Sequence, residues 1–244
     1  METLTERLSA VRERIAAAAH RVDRDPAAVL LVGVTKAQTV EVIRAALDAG
    51  LRDIGENRVQ EAEAKMAMLG AERDRPIWHL IGHLQTNKAK KAAMMFDMIH
   101  SVDSLRLAQI LDRYAVEARR EAPWRLPILL QVNVSGEATK SGFDLCNWDT
   151  EPDVYERFCA DVQSILALPH LEVRGLMTIA PWGSDPEAAR PVFRAVRRLR
   201  DALVQRFPAT AWRDLSMGMT DDFEVAIEEG ATIVRIGRAI FGER

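Results

Sequence analysis

The chain alternates between short apolar runs and longer segments in which apolar residues recur at helical spacing. The clearest run, residues 29–34, is short, rich in β-branched residues and free of charge, which is typical of a strand buried on both faces. Before it, helical spacing predicts an N-terminal helix carrying Leu4, Leu8, Val11 and Ile15. After it, the pattern predicts a helix that opens at Thr39, stops at Gly50 and carries Val40, Ile43 and Leu47.

The same alternation continues to the end of the chain. Further strands are predicted at residues 52–55, 77–81, 98–102, 127–134, 171–177, 215–217 and 232–236. Helical patterns lie between them, at residues 57–69, 88–95, 107–114, 154–168, 192–203 and 221–230. Two helix starts are marked, by a capping box with proline at residues 184–187 and by Asp221.

Eight predicted strands, each followed by a helix or a helical turn, fit an α/β fold of the (β/α)8 TIM-barrel type with one extra N-terminal helix. An open doubly wound sheet is the alternative, and it usually has fewer strands at this length. Because no linker rich in Pro, Gly or Ser divides the chain, we expect residues 1–244 to form a single domain. The longest irregular stretch, residues 135–152, is predicted to be a βα-loop insertion at the ligand face.

Composition narrows the class of protein. A 48% hydrophobic and 28% charged composition is typical of a soluble globular chain, and the net charge of -3 argues against nucleic-acid or membrane-surface partners. No apolar run approaches the ~20 residues of a membrane span. The two cysteines, Cys146 and Cys159, have neither disulfide-framework nor metal-site spacing. The N-terminus is charged and amphipathic, so we expect no signal peptide and a cytoplasmic location.

Candidate chemistry lies at the carboxyl ends of the predicted strands, which meet at one mouth of a barrel and bind ligands there. Lys36 follows the first strand and is a candidate Schiff-base lysine, because partial desolvation favours the neutral amine that attacks a carbonyl. The alternative is a solvated lysine in an ordinary βα loop. Polar residues and glycines recur at the carboxyl ends of the other strands, as at 56–57, 82–83, 101–103, 133–135, 177–178, 216–218 and 235–237.

The last two loops, residues 216–219 and 237–242, predict an anion site. Barrels often hold phosphate with the loops after strands 7 and 8. Glycines there let backbone N–H groups approach an anion, although glycines in loops also serve simply as turn residues. A lysine combined with a phosphate site points to a phosphate-bearing carbonyl compound, of which pyridoxal phosphate is the obvious one.

Long sequence motifs support that ligand. The chain resembles, nearly end to end, the pyridoxal phosphate homeostasis proteins, also called the proline-synthetase co-transcribed or YggS-type proteins. The matching segments are residues 34–36, 53–61, 78–88, 131–134, 140–142, 174–177, 215–222 and 234–242. The resemblance implies a barrel like the N-terminal domain of alanine racemase, with pyridoxal 5'-phosphate held on Lys36 as a Schiff base.

The resemblance also implies roles for other residues. Arg235 would face the pyridine nitrogen and keep it unprotonated, since two positive charges at hydrogen-bond distance repel. The remaining implied cofactor contacts are a phosphate-binding hydroxyl, two backbone N–H groups for the phosphate and a polar side chain near the ring: Ser216, Gly237, Arg238 and Asn57. Many relatives have Thr or Ser where this chain has Arg238, so the role of that side chain stays open.

Two functions from different classes follow. The resemblance implies a cofactor-binding protein of intracellular vitamin B6 homeostasis without substantial turnover, with pyridoxal phosphate-dependent apoenzymes as partners. We expect a monomer, although the sequence leaves the oligomeric state open. The alternative is a fold-type III amino acid racemase. Such a racemase needs a second base on the opposite face of the ring, which alanine-racemase-like enzymes take from a tyrosine in a C-terminal β-domain. Because Arg244 follows directly after the predicted phosphate segment, we expect no such domain, and both tyrosines, Tyr114 and Tyr155, lie on predicted helices.

Other polar residues have structural explanations. His79 lies inside a predicted strand and is either a satisfied core histidine or a ligand contact, while His83 and His100 are weaker candidates. A basic turn at residues 88–91 is predicted to be a solvated face rather than an anion or RNA site. We assign no catalytic residue and no metal ligand.

Overall fold

A computed structural model describes residues 2–118, 124–137, 139–183 and 185–242. Its strands are β1 Leu30–Val34, β2 Asp53–Glu56, β3 Ile77–Leu80, β4 Met98–Val102, β5 Leu126–Asn133, β6 Phe143–Asp144, β7 Leu171–Met177, β8 Asp214–Ser216 and β9 Ile233–Ile236. Its helices are α1 Leu4–His20, α2 Val40–Asp48, α3 Val59–Leu69, α4 Ala89–Met95, α5 Leu105–Ala115, α6 Pro152–Leu166, α7 Arg190–Arg206, α8 Phe223–Glu228 and α9 Arg238–Phe241.

The strands close into a parallel barrel. β1 lies between β2 and β9, so that Gly33 is in register with Ile54 on one side and Ile236 on the other. The order continues through β3 and β4 on one side and through β8, β7 and β5 on the other, and pairing of β4 with β5 closes the ring. The two-residue β6 adds to β5 outside the ring, within the predicted loop insertion. The predicted TIM barrel is therefore confirmed, and the open sheet is wrong.

Two hydrophobic clusters result from the alternation of side chains along each strand. Along β9, Val234 and Ile236 join the large cluster between strands and helices, whereas Ile233 belongs to a small separate cluster. The small cluster fills part of the barrel interior and contains Val32, Met98, Leu129, Met177 and Ile233. Arg235 shares its side of β9 with Ile233, so a polar layer lies in the interior next to the apolar one.

The helix boundaries follow the local sequence signals closely. Thr39 is the N-cap of α2, and Gly50, with φ +85°, lies just after its end, as predicted. The N-cap of α8 is Asp222 rather than the predicted Asp221. Asp185 caps the turn of helix before α7, while Ser184, the first residue of the predicted capping box, lies outside the described residues. None of the described helices is both long enough and apolar enough to cross a membrane.

Candidate functional site

An open cleft of about 520 Å³ lies where β1 and β9 end. It brings together four residues that the sequence singles out, which come from opposite ends of the chain: Lys36, Arg235, Gly237 and Arg238. They meet because β1 and β9 are hydrogen-bonded neighbours in the ring. The other lining residues are Val34, Gln38, Trp182, Met219, Thr220, Asp221 and Gly242.

The turn that carries Lys36 is held from behind by a buried lysine. Lys65 Nζ on α3 donates to the carbonyl oxygen of Thr35 at 2.7 Å, and Thr35 Oγ1 donates to Glu56 Oε1 at 2.6 Å. On the other side of Lys36, the N–H of Ala37 donates to the Glu61 carboxylate, with Ala37 in the left-handed region at φ 59°. A non-glycine residue adopts that conformation only where its surroundings hold it there. The position of Lys36 is thus defined by flanking contacts.

Charge balance in this cluster depends on Lys65. Its ammonium contacts Glu56 Oε1 and Glu61 Oε1, both at 2.7 Å, and Lys65 and Glu56 are buried. Burial raises the pKa of Glu56, while hydrogen bonds from Lys65 and Thr35 act in the opposite direction. The second oxygen of Glu56, Oε2, has no hydrogen-bond partner among the described residues. No sequence signal distinguishes Lys65 from a surface lysine of α3, and sequence reasoning missed it.

Arg235 reaches the cleft from inside the barrel. Its guanidinium donates through Nη1 to Ser216 Oγ at 2.6 Å and through Nη2 to the carbonyl oxygen of Thr178 at 2.9 Å. Burial lowers the pKa of Arg235 to about 10, against the opposing effect of the Asp222 carboxylate. The side chain is therefore still a cation near neutral pH, fixed at two points and in contact with the cleft.

The rim after β9 offers backbone donors. Gly237 is the N-cap residue of α9, and no side chain caps that helix start. A Cβ added to Gly237 would meet Val34 Cβ at 3.5 Å, an ordinary contact, so glycine is not required here by packing within the protein. The Arg238 side chain, whose role was open, pairs through Nη2 with Asp221 Oδ2 at the half-exposed rim of the cleft.

Two predicted site residues lie elsewhere. Ser216 is fully buried below the cleft, and its hydroxyl group contacts Arg235 and His100 rather than open space. Asn57 lines a neighbouring cleft together with His83 and Lys88. The motif at residues 215–222 also contains Thr220, and this residue, unlike Ser216, lines the Lys36 cleft and carries a hydroxyl group.

An exposed aromatic side chain also lines the cleft. Trp182 is 87% exposed and lies on the loop after β7. Sequence reasoning missed it because it falls four residues beyond the strand-end residue Thr178. Its position at a mouth-facing loop is the only signal that could have found it.

The remaining polar candidates have structural partners. His79 is buried and hydrogen-bonded on both ring nitrogens, which makes it a satisfied core histidine. His83 is exposed and contacts Asp103 at 3.1 Å. Lys90 and Lys91 pair with Glu117 and Glu63 on the surface, in agreement with a solvated face.

General acid–base groups are scarce in the cleft. Tyr114 lies on α5 and Tyr155 on α6, so neither tyrosine lines it. Among the described residues that do line it, Lys36 supplies an amine and Asp221 a carboxylate, and this carboxylate is paired with Arg238. No cluster of three His, Cys, Asp or Glu side chains in the described ranges is arranged to hold a metal ion. The fold and this site define a TIM-barrel protein with a lysine-centred, cationic ligand cleft at the carboxyl ends of its strands.

Comparison with known proteins gives the family. The alanine racemase N-terminal domain family matches residues 7–244. A pyridoxal phosphate homeostasis protein of Aquifex aeolicus is 45% identical over 240 residues, which cover 98% of this chain and 97% of that protein. The chain belongs to the alanine racemase N-terminal domain family and, within it, to the pyridoxal phosphate homeostasis proteins.

Solved structures agree with this assignment. PipY of Synechococcus elongatus with pyridoxal phosphate bound is 36% identical, with a TM-score of 0.81, and the match covers 98% of this chain and 100% of PipY. An alanine racemase of Clostridium difficile is 12% identical with a TM-score of 0.67, and the match covers 96% of this chain and 59% of the racemase. That second likeness shows a shared barrel fold and carries no functional argument.

Proposed function

We propose that this protein binds pyridoxal 5'-phosphate covalently through Lys36 and acts in intracellular vitamin B6 homeostasis, without substantial catalytic turnover. One observation carries the proposal: a lysine amine, a buried arginine and a helix start without a side-chain cap share one cleft of about 520 Å³. Clefts of this size hold cofactor-sized ligands. The family membership and the cofactor bound to PipY support the same ligand.

The donor set fits the chemistry of this cofactor. When bound, pyridoxal phosphate supplies an aldehyde: the lysine amine adds to its carbonyl carbon, a C=N bond forms and the oxygen leaves as water, in a reversible step. Lys36 is the primary amine of the cleft, and the contacts of Thr35 and Ala37 hold its backbone in place. The uncapped start of α9 and the Thr220 hydroxyl group are donors suited to a phosphate.

We assign the remaining predicted contacts as follows. The backbone of Gly237 and Arg238 holds the phosphate, while the Arg238 side chain stays with Asp221 at the rim. Ser216 acts through Arg235, because its hydroxyl group accepts from the guanidinium. The contact of Asn57 with the ring remains a prediction, since the residue lines the neighbouring cleft.

Arg235 is the main reason to propose a carrier and not an enzyme. Its guanidinium is cationic and held in place, so a ring nitrogen facing it stays unprotonated. An unprotonated ring withdraws electrons weakly from a bound amino acid. A racemase would also need a base on each face of the ring, and no tyrosine, histidine or cysteine is among the described residues that line the cleft.

The test uses purified protein incubated with pyridoxal phosphate, treated with borohydride and digested for peptide mapping. Borohydride reduces the C=N bond to a stable amine, so the modified lysine can be identified. We expect the adduct on the Lys36 peptide, its loss in Lys36→Ala and its retention in Lys140→Ala. Lys140 is a suitable control because it lies near the same mouth and donates to the carbonyl oxygen of Ile179 at 3.0 Å. An adduct on Lys88, Lys140 or any other lysine would contradict the assignment.

Delivery of the cofactor requires its own measurement. We propose that cytoplasmic pyridoxal phosphate-dependent apoenzymes are the recipients. Loaded protein, freed of unbound cofactor, is mixed with an apo-aminotransferase, and recovery of the aminotransferase activity is followed over time. The borohydride-reduced protein is the matched control, because its cofactor cannot leave. Equal recovery with both samples, or none with the loaded protein, would contradict delivery.

A further inference from the structure

A continuous chain of hydrogen bonds crosses the barrel interior. Asp53 Oδ1 lies 2.9 Å from His79 Nε2, and His79 Nδ1 lies 2.9 Å from His100 Nε2. His100 Nδ1 then lies 2.9 Å from Ser216 Oγ, which accepts from Arg235 Nη1 at 2.6 Å. The chain links β2, β3, β4, β8 and β9, and all five side chains are buried.

The carboxylate of Asp53, at one end of this chain, determines which atom donates in every hydrogen bond along it. An ionised Asp53 carboxylate can only accept, so His79 must donate from Nε2. A neutral imidazole carries one N–H, so His79 accepts at Nδ1 and His100 donates from Nε2. His100 then accepts at Nδ1 from the hydroxyl group of Ser216. The lone pairs of that hydroxyl are thereby left facing the guanidinium of Arg235.

The surroundings of His100 favour its neutral form. His100 is fully buried, and burial together with His79, Arg235 and Arg174 holds its pKa well below the usual range. With the opposite polarity, His100 would donate from Nδ1 to Ser216, and the hydroxyl hydrogen would need another acceptor. Ser216 Oγ has no further hydrogen-bond partner among the described residues.

The two ends of the chain lie at opposite mouths of the barrel. Asp53 is the first residue of β2 and lines a cleft at the amino ends of the strands, together with Arg174 and Asp214. Arg235 lines the Lys36 cleft at the carboxyl ends. The carboxylate and the guanidinium are therefore joined through the interior without touching each other.

We propose that Asp53, His79 and His100 are positioning residues, which fix the Ser216 hydroxyl as an acceptor and so hold the guanidinium of Arg235 in the orientation that it presents to the cofactor. The identity of that ligand rests on the proposed function, whereas the direction of the hydrogen bonds between Asp53 and Ser216 does not. When the charge at Asp53 is removed, the donor and acceptor roles along the chain of hydrogen bonds are no longer fixed, because an amide at that position can donate as well as accept.

The first test needs neither ligand nor variant. Nitrogen-15 NMR of histidine side chains distinguishes the two neutral tautomers and the cation. In ligand-free protein at neutral pH we expect both His79 and His100 as Nε2–H tautomers. An Nδ1–H tautomer or a cation at either position would overturn the proposal, and this outcome is independent of whether pyridoxal phosphate binds.

Two variants complete the test. Asp53→Asn should give mixed tautomers at His79 and bind pyridoxal phosphate about ten-fold more weakly, the effect of weakening one hydrogen bond to a charged group. It should also shift the absorption band of the bound cofactor while the adduct stays on Lys36. Asp214→Asn is the matched control. Asp214 is also 7% exposed and also begins a strand, but it pairs with Arg174, which is not part of this chain of hydrogen bonds.

The outcomes separate the two proposals. Asp214→Asn should retain the tautomers, the affinity and the band of the unaltered protein. Unchanged tautomers and affinity in Asp53→Asn would overturn the positioning role. If the unaltered protein shows the Nε2–H tautomers but binds no pyridoxal phosphate, the proposed function fails and the assigned polarity of the chain stands.

Discussion

Replacement of Lys65 by methionine tests the buried cluster behind Lys36, which consists of Thr35, Glu56 and Lys65. Lys65 is 6% exposed and Glu56 is fully buried, so the variant leaves a buried carboxylate without its cation. It also removes the donor to the carbonyl oxygen of Thr35. Removal of one partner of a buried ion pair costs about 3–5 kcal/mol. That loss is a large part of the ~5–15 kcal/mol by which a protein is stable.

The size of this effect depends on pH. Burial already raises the pKa of Glu56, and removal of Lys65 takes away the hydrogen bond and the charge that oppose the increase. A raised pKa in the folded state means that folding favours the protonated carboxyl group. The stabilising contribution is therefore present below the ordinary glutamate pKa and is lost as pH rises through the folded value. Lys65→Met should accordingly be less destabilised at low pH than at high pH.

The assay is urea denaturation followed by circular dichroism at pH 5.5 and pH 8. Lys91→Met is the matched control: Lys91 contacts Glu63 at 2.7 Å, but the two side chains are 56% and 47% exposed. An exposed pair contributes about 0–1 kcal/mol. The double variant Lys65→Met/Glu56→Gln should regain much of the loss, because no buried charge remains. Equal destabilisation by the Lys65 and Lys91 variants, or an effect that does not change with pH, would refute this reasoning.

Three further predictions concern the cleft. Gly237→Leu should keep its melting temperature, because a Cβ there meets Val34 at an ordinary 3.5 Å, but should bind pyridoxal phosphate more weakly in a titration; unchanged affinity would remove this rim from the site. Cofactor binding should quench tryptophan emission chiefly through Trp182, which lines the cleft, so Trp182→Phe should lose most of the quenching seen by fluorescence, and full quenching in that variant would be contrary to the placement. Loaded protein incubated with single L-amino acids in deuterated water should show neither fast exchange of the α-proton by NMR nor accumulation of the D-isomer on a chiral column; both together would restore the racemase alternative.

The sequence by itself determined the order of elements and the mouth at which the ligand cleft lies. Apolar runs of strand length, separated by helical patterns, predict a parallel α/β ring, because each such strand needs cover on both faces. Lys36 and Gly237 could be placed at one mouth for the same reason: both follow predicted strands, and parallel strands end together. Local chemistry, such as the Thr39 cap and the stop at Gly50, depends on neighbouring residues alone and was also predictable.

Only the tertiary structure decided which polar side chains meet. Ser216 lies on the expected strand, β8, but points into the interior toward His100, and Asn57 faces a neighbouring cleft. Lys65 is buried because Glu56, from a different element, lies against it. For Ser216 and Asn57 the outcome depends on strand stagger and on the height of a side chain within the closed barrel, and for Lys65 it depends on how α3 packs against β2. Those quantities arise from the packing of distant segments, so no local pattern of hydrophobic and polar residues encodes them.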